Sequence, residues 1–301
     1  GTVDMRAVSN FFKSSPKVLR PLVTKGVVSP NKLVPSHIVK PEYAISGVVP
    51  TSPDHIIAHG ADAVDQMRKA GRVARNVLEF TLAQAKPGVS TDYIDSLAFD
   101  EIIRQNAYPS PINYGHFPKS ICTSVNEVVC HGVPDSRLLQ EGDILSIDVS
   151  VYMNGYHGDN CGTVIVGKGN EMARDLVQTN IDVLDMAIAK CVAGACLSEV
   201  GNTIEANKRG FSVVSHFCGH GVGKLMHMQP FVLHHRNNYE VELQPGMVFT
   251  IEPILVEGKD KLVLWDDKWT AATADNSRGS QFEHQIVITE SGPPEILTCL
   301  D

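Results

Sequence analysis

Two short segments of this chain share one pattern, in which a helix breaks and a new helix starts. They are AKPGVSTDYID at 85–95 and VAGACLSEVGN at 192–202. Apolar residues recur at helical spacing before each segment, and a second helix follows it. Strand-like segments then follow both helix pairs. The repeated order predicts a duplicated α+β unit, whose two like halves form a cleft between their sheets.

The spacing of apolar residues also places the individual elements. A first helix is predicted from about residue 67 until Lys86-Pro87-Gly88 stops it, and Thr91-Asp92 is the predicted N-cap of a second helix that ends near residue 105. Several prolines within residues 30–58 predict an extended arm before these helices. In the second half, the pattern predicts helices over 172–191 and from 198 to about 210, and strands at 211–218, 247–252, 262–265 and 281–289.

The segment SIDVSVYMNGYHGDN, residues 146–160, predicts a β-hairpin in residue-level detail. Asn154-Gly155 favours a type I′ turn, since both residues tolerate positive φ. Side chains alternate between faces, so Asp148 and Asp159 should share one face. By itself the hairpin is most simply interpreted as half-solvated, with both acids facing water. The turn would pair Met153 with Tyr156, Ser150 with Asp159 and Asp148 with Cys161, and the opposite face would carry Leu145, Ile147, Val149, Val151 and Met153.

Composition excludes several classes of protein. With 301 residues, 43% of them hydrophobic, the chain can bury a large core. A net charge of −8 without a basic stripe argues against nucleic acid as a partner. No apolar run approaches the roughly 18 residues of a membrane span, so a membrane partner is not expected. Seven cysteines without CxxC spacing indicate buried thiols in a reducing compartment.

The segment 1–40 differs from the rest of the chain, because it holds seven basic residues against one acid, Asp4. A basic, serine-containing and acid-poor segment is typical of an organellar transit peptide, and the alternative is a flexible basic tail. We therefore predict a basic N-terminal arm at 1–45, as a targeting segment or an extension. A catalytic domain would follow at 46–301, with pseudo-repeats at about 60–166 and 170–290.

Polar residues interrupt three strand-like segments of the second half: His220 in FCGHGVG, Glu252 in VFTIEPILV and Glu283 in QFEHQIVI. Taken singly, each has an ordinary explanation: a hydrogen-bonded histidine in a glycine-rich turn, or a glutamate at a strand end or in a buried salt bridge. Together with Asp148 and Asp159 they make four carboxylates and one imidazole, without comparable Lys or Arg partners nearby in sequence. Unpaired buried carboxylates cost several kcal/mol.

This donor set suits divalent Mn, Fe, Co or Zn, and its carboxylates can bridge two ions about 3.5–4 Å apart that activate water for hydrolysis. Signatures of other catalytic classes are absent from the sequence: it has no HExxH, GxSxG or Walker A motif, and no GxGxxG followed by a suitable acid. The sequence therefore favours a metal-dependent hydrolase.

Five segments together resemble one known family, type I methionine aminopeptidase, over about residues 60–297. They are NYGHFPKSICTSVNEVVCHGVP (113–134), DILSIDVSVYMNGYHGDN (143–160), HFCGHGVG (216–223), FTIEP (249–253) and FEHQIVIT (282–289). The resemblance implies the α+β pita-bread fold, in which two pseudo-symmetric halves with antiparallel sheets, covered by helices, surround a central metal cleft. It implies removal of the initiator methionine from nascent proteins whose second residue is small.

The resemblance also implies roles for individual residues. Asp148 and Asp159 would bind one of two divalent ions (Co, Mn, Fe or Zn), and His220 and Glu252 the other, with Asp159 and Glu283 bridging. A metal-bridging hydroxide would attack the scissile carbonyl, with Glu252 as proton shuttle. His131 would contact the scissile amide or the substrate amine, and His227 would stabilise the tetrahedral intermediate. Without the resemblance, surface or structural histidines would be the simpler explanation. The pocket for the methionine side chain would be lined by Tyr114, Phe117, Cys122 and Trp269, an apolar and sulfur-tolerant set that could equally be ordinary core packing.

The spacing of the ligand motifs indicates the enzyme subtype, and the basic N-terminal arm indicates the location in the cell. Glu252 and Glu283 lie close together in sequence, without the large insert of type II enzymes, and no cysteine precedes Cys122 as it would in a zinc-finger extension. The basic arm resembles that of the mitochondrial form, with the cytoplasm as the alternative location. We expect a monomer that meets nascent polypeptide N-termini close to the ribosome, without nucleic-acid or membrane partners. Ser150, opposite Asp159, would orient that aspartate.

Rival functions remain. One is an Xaa-Pro-directed peptidase of the same fold, which usually carries an additional N-terminal domain. Another is a catalytically inactive pita-bread protein that binds peptides or partners, although such proteins lose ligands and all five are present here. A metal-free structural protein is the third.

Overall fold

The computed structural model describes residues 20–300, as two helix pairs packed on antiparallel sheets. Residues 1–19 of the predicted targeting segment lie outside this range, and residues 20–42 run without regular secondary structure beside the first half. No helix in the described range is long and apolar enough to cross a membrane. The helices are α1 (Tyr43–Ser46), α2 (Ala61–Leu82), α3 (Thr91–Arg104), α4 (Glu171–Ile188) and α5 (Ser198–Asn207), with a 3₁₀ turn at Tyr114–His116.

Most strands are short, except for the two of the predicted hairpin. In chain order they are β1 (Tyr108–Pro109), β2 (Cys122–Val125), β3 (Val128–Cys130), β4 (Ile144–Met153), β5 (Tyr156–Ile165), β6 (Ser212–Val213), β7 (Gly219–Gly221), β8 (Met228–Val232), β9 (Val248–Ile251), β10 (Ile254–Val256), β11 (Leu262–Leu264), β12 (Ala271–Thr273), β13 (Gly279–Gln281), β14 (His284–Val287) and β15 (Glu295–Ile296). The first half contains a sheet of β1, β4, β2 and β5, and the second a sheet in the order β15-β14-β9-β7-β8. Two three-stranded sheets, β13-β10-β6 and β11-β12-β3, complete the set.

The two halves share backbone detail as well as element order. After α2, Gly88 donates its N–H to the carbonyl of Leu139 at 2.8 Å, and after α4, Gly194 donates to Leu243 at the same distance. Both glycines have a φ of +85°, which favours glycine because it lacks a Cβ. Each helix pair also packs into a separate apolar core against its own sheet. The predicted α+β architecture with pseudo-symmetric halves is confirmed.

The start of α3 differs from the prediction by one residue. The N-cap is Ser90, whose hydroxyl accepts the N–H of Tyr93 at 3.1 Å. Thr91 is already helical, because its hydroxyl is engaged elsewhere: it accepts the N–H of Asp135 at 2.9 Å. The predicted cap at Thr91-Asp92 was therefore wrong, since a tertiary contact claims the threonine side chain.

The hairpin β4–β5 has the predicted register throughout. Asn154 and Gly155 have φ values of 52° and 86°, so both central turn residues occupy the left-handed region. Ser150 lies opposite Asp159, and Asp148 lies opposite Cys161. The polar face is not solvated, however: Ser150 and Asp159 are 5% and 4% exposed. The half-solvated interpretation of the isolated hairpin is wrong, and the cleft-facing position that the full ligand set predicted is confirmed, because the second half of the chain covers that face.

That cover comes from the junction between the two halves. Cys161 of β5 and Glu283, next to β14, exchange backbone hydrogen bonds at 3.4 and 2.9 Å. Further along the same edge, the Thr163 hydroxyl donates to the carbonyl of Gln281 at 2.6 Å. One strand from each half thus forms a continuous polar junction, and it carries Asp159 and Glu283 to the same place.

The strand predictions in the second half were correct at 247–252, 262–265 and 281–289, apart from their ends. The predicted strand at 211–218 was wrong in extent, because only Ser212–Val213 pairs, with β10, and the chain then bends before Gly219–Gly221. The region between residues 214 and 219 instead forms part of the cavity described below. Pro253 separates β9 from β10, as the interruption of the apolar run indicated.

The absence of a side chain at Gly158 allows β5 to lie close to the backbone of α2. A Cβ at this position would lie 2.3 Å from the carbonyl carbon of Ala70, in the helix backbone. We expect Gly158→Ala to lower the free energy of unfolding by about 1–3 kcal/mol, because the strand beside Asp159 must move away. Gly60→Ala is the control, since a Cβ added there would meet no atom within 4 Å, and its cost should stay below about 1 kcal/mol. Urea unfolding of both variants measures the difference, and equal losses would contradict the prediction.

Candidate metal centre

A cavity of about 260 Å³ lies where the two halves meet. It contains side chains from both sheets and from the loop before β2. Every site residue proposed from the sequence lines it: Tyr114, Phe117, Cys122, His131, Asp148, Asp159, His220, His227, Glu252, Trp269 and Glu283. Residues that are far apart in sequence are thus brought to one cavity.

The five candidate ligands occupy its inner end. The Nε2 atom of His220 lies 3.3 Å from Oε1 of Glu252 and 3.5 Å from Oδ2 of Asp159. Ligand atoms of Asp159, His220 and Glu283 all lie within 4.8 Å of one another. Asp148 lies one strand away from Asp159, on the same face of the hairpin. Asp159, His220 and Glu283 are therefore close enough together to share one ion.

His220 presents a bare lone pair to the carboxylates. Its Nδ1 lies 3.1 Å from the carbonyl oxygen of Gly221, which can only accept, so Nδ1 carries the proton. Burial lowers the pKa of His220 to about 4, so the ring is neutral and Nε2 is unprotonated at neutral pH. An unprotonated nitrogen that faces two carboxylate oxygens is repulsive unless a proton or a metal cation lies between them. This geometry is what a metal-binding imidazole requires.

The carboxylates repel one another in the same way. Burial raises the pKa of Asp148, Glu252 and Glu283 well above the ordinary range, and the neighbouring Asp159 raises all three further. Burial also raises the pKa of Asp159, to about 6. Four acids in these surroundings cannot all be ionised without positive charge. No Lys or Arg of residues 20–300 lines the cavity, so this part of the chain does not supply that charge.

One buried oxygen makes the fit to a metal explicit. Oε2 of Glu283 is buried and has no hydrogen-bond partner among the described residues. An unpaired carboxylate oxygen in a buried site is unfavourable by several kcal/mol unless it binds a cation. Hard oxygen donors and one imidazole nitrogen form a donor set that suits first-row divalent ions. The residues present therefore fit a divalent metal centre.

Polar neighbours hold the candidate ligands in place. The Ser150 hydroxyl donates to Oδ1 of Asp159 at 2.9 Å, as the sequence predicted. The Thr250 hydroxyl donates to Oε1 of Glu252 at 2.8 Å and accepts the backbone N–H of His220 at 3.0 Å. Sequence analysis missed Thr250, although it lies two residues before a candidate ligand, where strand alternation places it on the same face.

Two glutamines also support the candidate ligands, and both were missed. Gln281 donates from Nε2 to Oε2 of Glu252 at 3.2 Å, and Gln285 accepts the N–H of Asp159 at 3.0 Å. Both flank Glu283 at a spacing of two. The same alternation argument would have found them. The buried His234, which accepts the N–H of Glu252 at 3.1 Å, had no such local signal.

Ser150 offers a specific test of this support. Replacing it by alanine removes the hydrogen bond to Asp159 but leaves all five candidate ligands. We expect Ser150→Ala to weaken metal affinity by about 10- to 100-fold, the usual cost of losing a group that orients a ligand. Isothermal titration with Mn²⁺ measures this. Thr81→Ala, which removes a buried hydroxyl that donates to Leu78 within α2, is the control and should bind Mn²⁺ like the wild type.

His227 is held by Tyr114 in a defined tautomer. The Tyr114 hydroxyl lies 2.6 Å from Nδ1 of His227, and burial raises the pKa of Tyr114 to about 12, so the phenol remains a donor. Nδ1 is therefore the acceptor and Nε2 carries the proton. Burial also lowers the pKa of His227 well below its ordinary value, so the ring stays neutral. Its ring centre lies 4.3 Å from that of His220, so it stands beside the candidate ligands.

The remaining predicted residues form an aromatic wall with a thiol. The His131 ring packs edge-on against Trp269 and Phe217, with ring centres 5.9 and 5.2 Å apart. Phe117 also contacts Trp269, at 5.3 Å. Cys122 is buried, and burial raises its pKa well above the ordinary value, so it is a neutral thiol. Further apolar surface comes from residues that the sequence analysis had not assigned to this pocket: Phe217, Met226 and Phe231.

A larger cavity of about 750 Å³ lies behind Trp269, partly under Val23 and Lys25 of the arm. It contains none of the five candidate ligands. Its acids are already satisfied: Asp267 accepts the N–H groups of Trp269 and Thr270, and Asp135 accepts that of Gly26. Size alone would favour this cavity. The chemistry favours the smaller one, where buried carboxylates lack partners.

Comparisons with known proteins agree with this centre. Residues 65–290 match the model of metallopeptidase family M24. "Methionine aminopeptidase 1D, mitochondrial" from Danio rerio is 46% identical over 293 residues, covering 97% of this chain and 86% of that protein. A crystal structure of methionine aminopeptidase from Rickettsia prowazekii is 38% identical, with a TM-score of 0.79 over 81% of this chain and all of that one.

A prolidase from Pyrococcus furiosus shares the fold at 20% identity, with a TM-score of 0.66 over 81% of this chain and 66% of that one. That likeness concerns the fold alone. The match to the family model covers most of the chain and spans all five candidate ligands. The pita-bread fold and the resemblance stated from the sequence are confirmed, and the chain belongs to metallopeptidase family M24.

Proposed function

We propose that this chain is a metal-dependent aminopeptidase that removes the N-terminal methionine from polypeptides whose second residue is small. The observation that carries the proposal is a buried group of four carboxylates and one neutral imidazole, without a basic partner among the residues that line the cavity, beside an apolar pocket that contains a thiol. The relative from Danio rerio, 46% identical over nearly the whole chain, supports the same activity.

In this proposal two divalent ions bind, drawn from Mn, Co, Fe and Zn. Asp148 and Asp159 would hold one ion and His220 and Glu252 the other, with Asp159 and Glu283 shared between them. The burial of Asp159 and Glu283 at the junction of the two halves supports the bridging role, because their ligand atoms lie within 4.8 Å of each other and of the His220 imidazole. When bound, such ions polarise a carbonyl group and activate water for attack on it.

The protein's own groups have distinct tasks. Glu252 accepts a proton from the attacking water and returns it to the leaving amine. Thr250 and Gln281 each hold one of its carboxylate oxygens, which fixes its orientation. His227 donates from Nε2 to the oxygen that becomes negative in the tetrahedral intermediate, because Tyr114 occupies Nδ1. His131 contacts the scissile amide or the substrate amine from the opposite wall.

The methionine side chain binds between Tyr114, Phe117, Cys122 and Trp269. An aromatic lining with a neutral thiol favours a thioether, which makes good contacts with aromatic ring edges. The free α-amine of the substrate would lie beside the candidate ligands, which would explain why only a terminal residue is removed. Met226 and Phe231 narrow the remaining space, in agreement with a small second residue.

The substrates are the N-termini of nascent polypeptides, met near the ribosome, and the enzyme acts as a monomer. The location is the mitochondrion, supported by the name of the Danio rerio relative. We retain the division into a basic arm at 1–45 and a catalytic domain at 46–301. Part of that arm is anchored: Arg20 and Lys32 pair with Glu127 and Asp100 of the first half.

Release of methionine from Met-Ala-Ser, measured with Mn²⁺, Co²⁺, Fe²⁺ or Zn²⁺, tests the proposal. We expect release with at least one ion and none in EDTA. Faster cleavage of Ala-Pro-Ser than of Met-Ala-Ser would instead identify an Xaa-Pro-directed peptidase. Absence of cleavage with every ion, in protein that still binds them, would favour a binding module of the same fold.

A further inference from the structure

A second groove opens beside the catalytic cavity, with a volume of about 440 Å³. We call it the arm groove. It is bounded by Glu42, Tyr43 and Pro50 of the N-terminal arm and its continuation, and by Tyr152, Lys224 and Met226 of the two halves. This volume lies within the range of about 300–1,000 Å³ that is common for ligand sites. Neither the family match nor the roles proposed above assign it a ligand.

The groove adjoins the catalytic cavity, because three residues line both: Tyr114, Met226 and His227. Tyr43 strengthens this shared wall. It is 2% exposed, its ring packs edge-on against Tyr114 at 5.0 Å, and its hydroxyl donates to the carbonyl of Ser110 at 2.6 Å. The arm is therefore part of the wall beside the catalytic histidine.

The position of His227 indicates which part of the substrate lies nearest to the groove. In the proposed function this side chain faces the scissile carbonyl, so the leaving part of the substrate begins next to it. Of the four methionine pocket residues, Phe117, Cys122 and Trp269 line only the catalytic cavity, and Tyr114 also lines the groove. Most of the methionine pocket thus lies away from the groove, which leaves the groove as a path for the rest of the peptide.

Two charges of opposite sign line the groove without neutralising partners. Glu42 and Lys224 are both exposed, and neither is in an ion pair within residues 20–300. Burial, and secondarily the Glu42 carboxylate, raise the pKa of Tyr152, which places Glu42 near the end of β4. Lys224 lies over the Tyr156 ring, 6.0 Å from its centre, at the start of β5. The two charges thus flank the Asn154-Gly155 turn.

We propose that the arm groove binds the substrate segment that follows the second residue, and that Glu42 and Lys224 select this segment by charge. The inference rests on the proposed function, whose methionine pocket it extends. An extended peptide advances by about 3.3–3.6 Å per residue, so the first residues beyond the cavity enter the groove. Basic side chains there are attracted by Glu42 and acidic ones by Lys224.

The test compares kcat/KM for Met-Ala, Met-Ala-Ser-Lys-Lys and Met-Ala-Ser-Asp-Asp in the metal-loaded full chain. Glu42→Lys should lower the ratio of the basic to the acidic pentapeptide by about 2- to 10-fold, because an exposed attraction becomes a repulsion. Lys224→Glu should raise the same ratio by a similar factor. Both shifts should shrink in 1 M salt, which screens exposed charges. Met-Ala is too short to enter the groove and should be cleaved equally by all variants.

Matched controls carry the same charge changes elsewhere: Glu240→Lys and Lys86→Glu are exposed and line neither cavity nor groove. They should leave the ratio unchanged. Unchanged ratios in the groove variants, or shifts equal to those of the controls, would overturn the inference and would indicate that the peptide leaves past His216 and Phe231. An unequal cleavage of Met-Ala among the variants would overturn it too. Failure of the wild type to release methionine from Met-Ala and from Met-Ala-Ser as well would instead refute the proposed function.

Discussion

Asp159→Ala should abolish metal-dependent release of methionine, lowering kcat/KM for Met-Ala-Ser by about 10³-fold or more. Asp159 contacts both the serine that orients it and the candidate imidazole ligand. One carboxylate oxygen accepts the Ser150 hydroxyl at 2.9 Å, and the other lies 3.5 Å from Nε2 of His220. Metal polarisation of a carbonyl is worth several kcal/mol, and a change of about 1.4 kcal/mol in the barrier corresponds to a tenfold change in rate.

A stability measurement separates metal loss from misfolding. Binding of an ion to the folded state alone raises the melting temperature, so EDTA should lower the Tm of the wild type. In Asp159→Ala the Tm should no longer respond to EDTA or to added Mn²⁺. Asp54→Ala, which alters a fully exposed acid outside the cavity, is the control and should retain activity and the EDTA response. Activity close to wild type in Asp159→Ala would refute the proposed ligand set.

His227→Ala is expected to lower kcat by about 10²- to 10³-fold, while KM and metal content change little. The loss is that of one preorganised donor to a developing oxyanion. The alanine variant removes no candidate ligand, so mass spectrometry under native conditions should find the same number of ions as in the wild type. A loss of metal in this variant would show that His227 supports the centre and does not act on the substrate.

Tyr114→Phe tests whether the tyrosine hydroxyl orients His227 for this role. The phenylalanine keeps the ring but removes the hydrogen bond to Nδ1, so His227 can take the wrong tautomer. We expect a fall in kcat of about 10-fold, smaller than that of His227→Ala. If the histidine acts through Nε2–H, the double variant should be no slower than His227→Ala alone, since the tyrosine then has nothing to orient. Additive losses would contradict this coupling.

Much of the fold could be predicted because its signals are local. The Asn154-Gly155 turn requires positive φ at two residues, and that requirement fixed every pair of β4 and β5. The repeated helix break at 88 and 194 likewise needs glycine at a φ of +85°. The strand at 211–218 failed for the opposite reason. Several of its residues line the cavity. The spacing of apolar residues cannot predict such a contact with distant segments.

The sequence by itself determined which residues form the candidate centre, since acids within apolar strands are too costly to be accidental. The tertiary structure decided what surrounds them. Gln285 reaches Asp159 only because the two sheets join along β5 and β14, whereas Gln281 reaches Glu252 because β13 pairs with β10 within the second half. The full ligand set predicted that Asp148 and Asp159 face a buried cleft, although the hairpin taken alone left this open. A single strand has two faces, and only a distant segment can cover one of them.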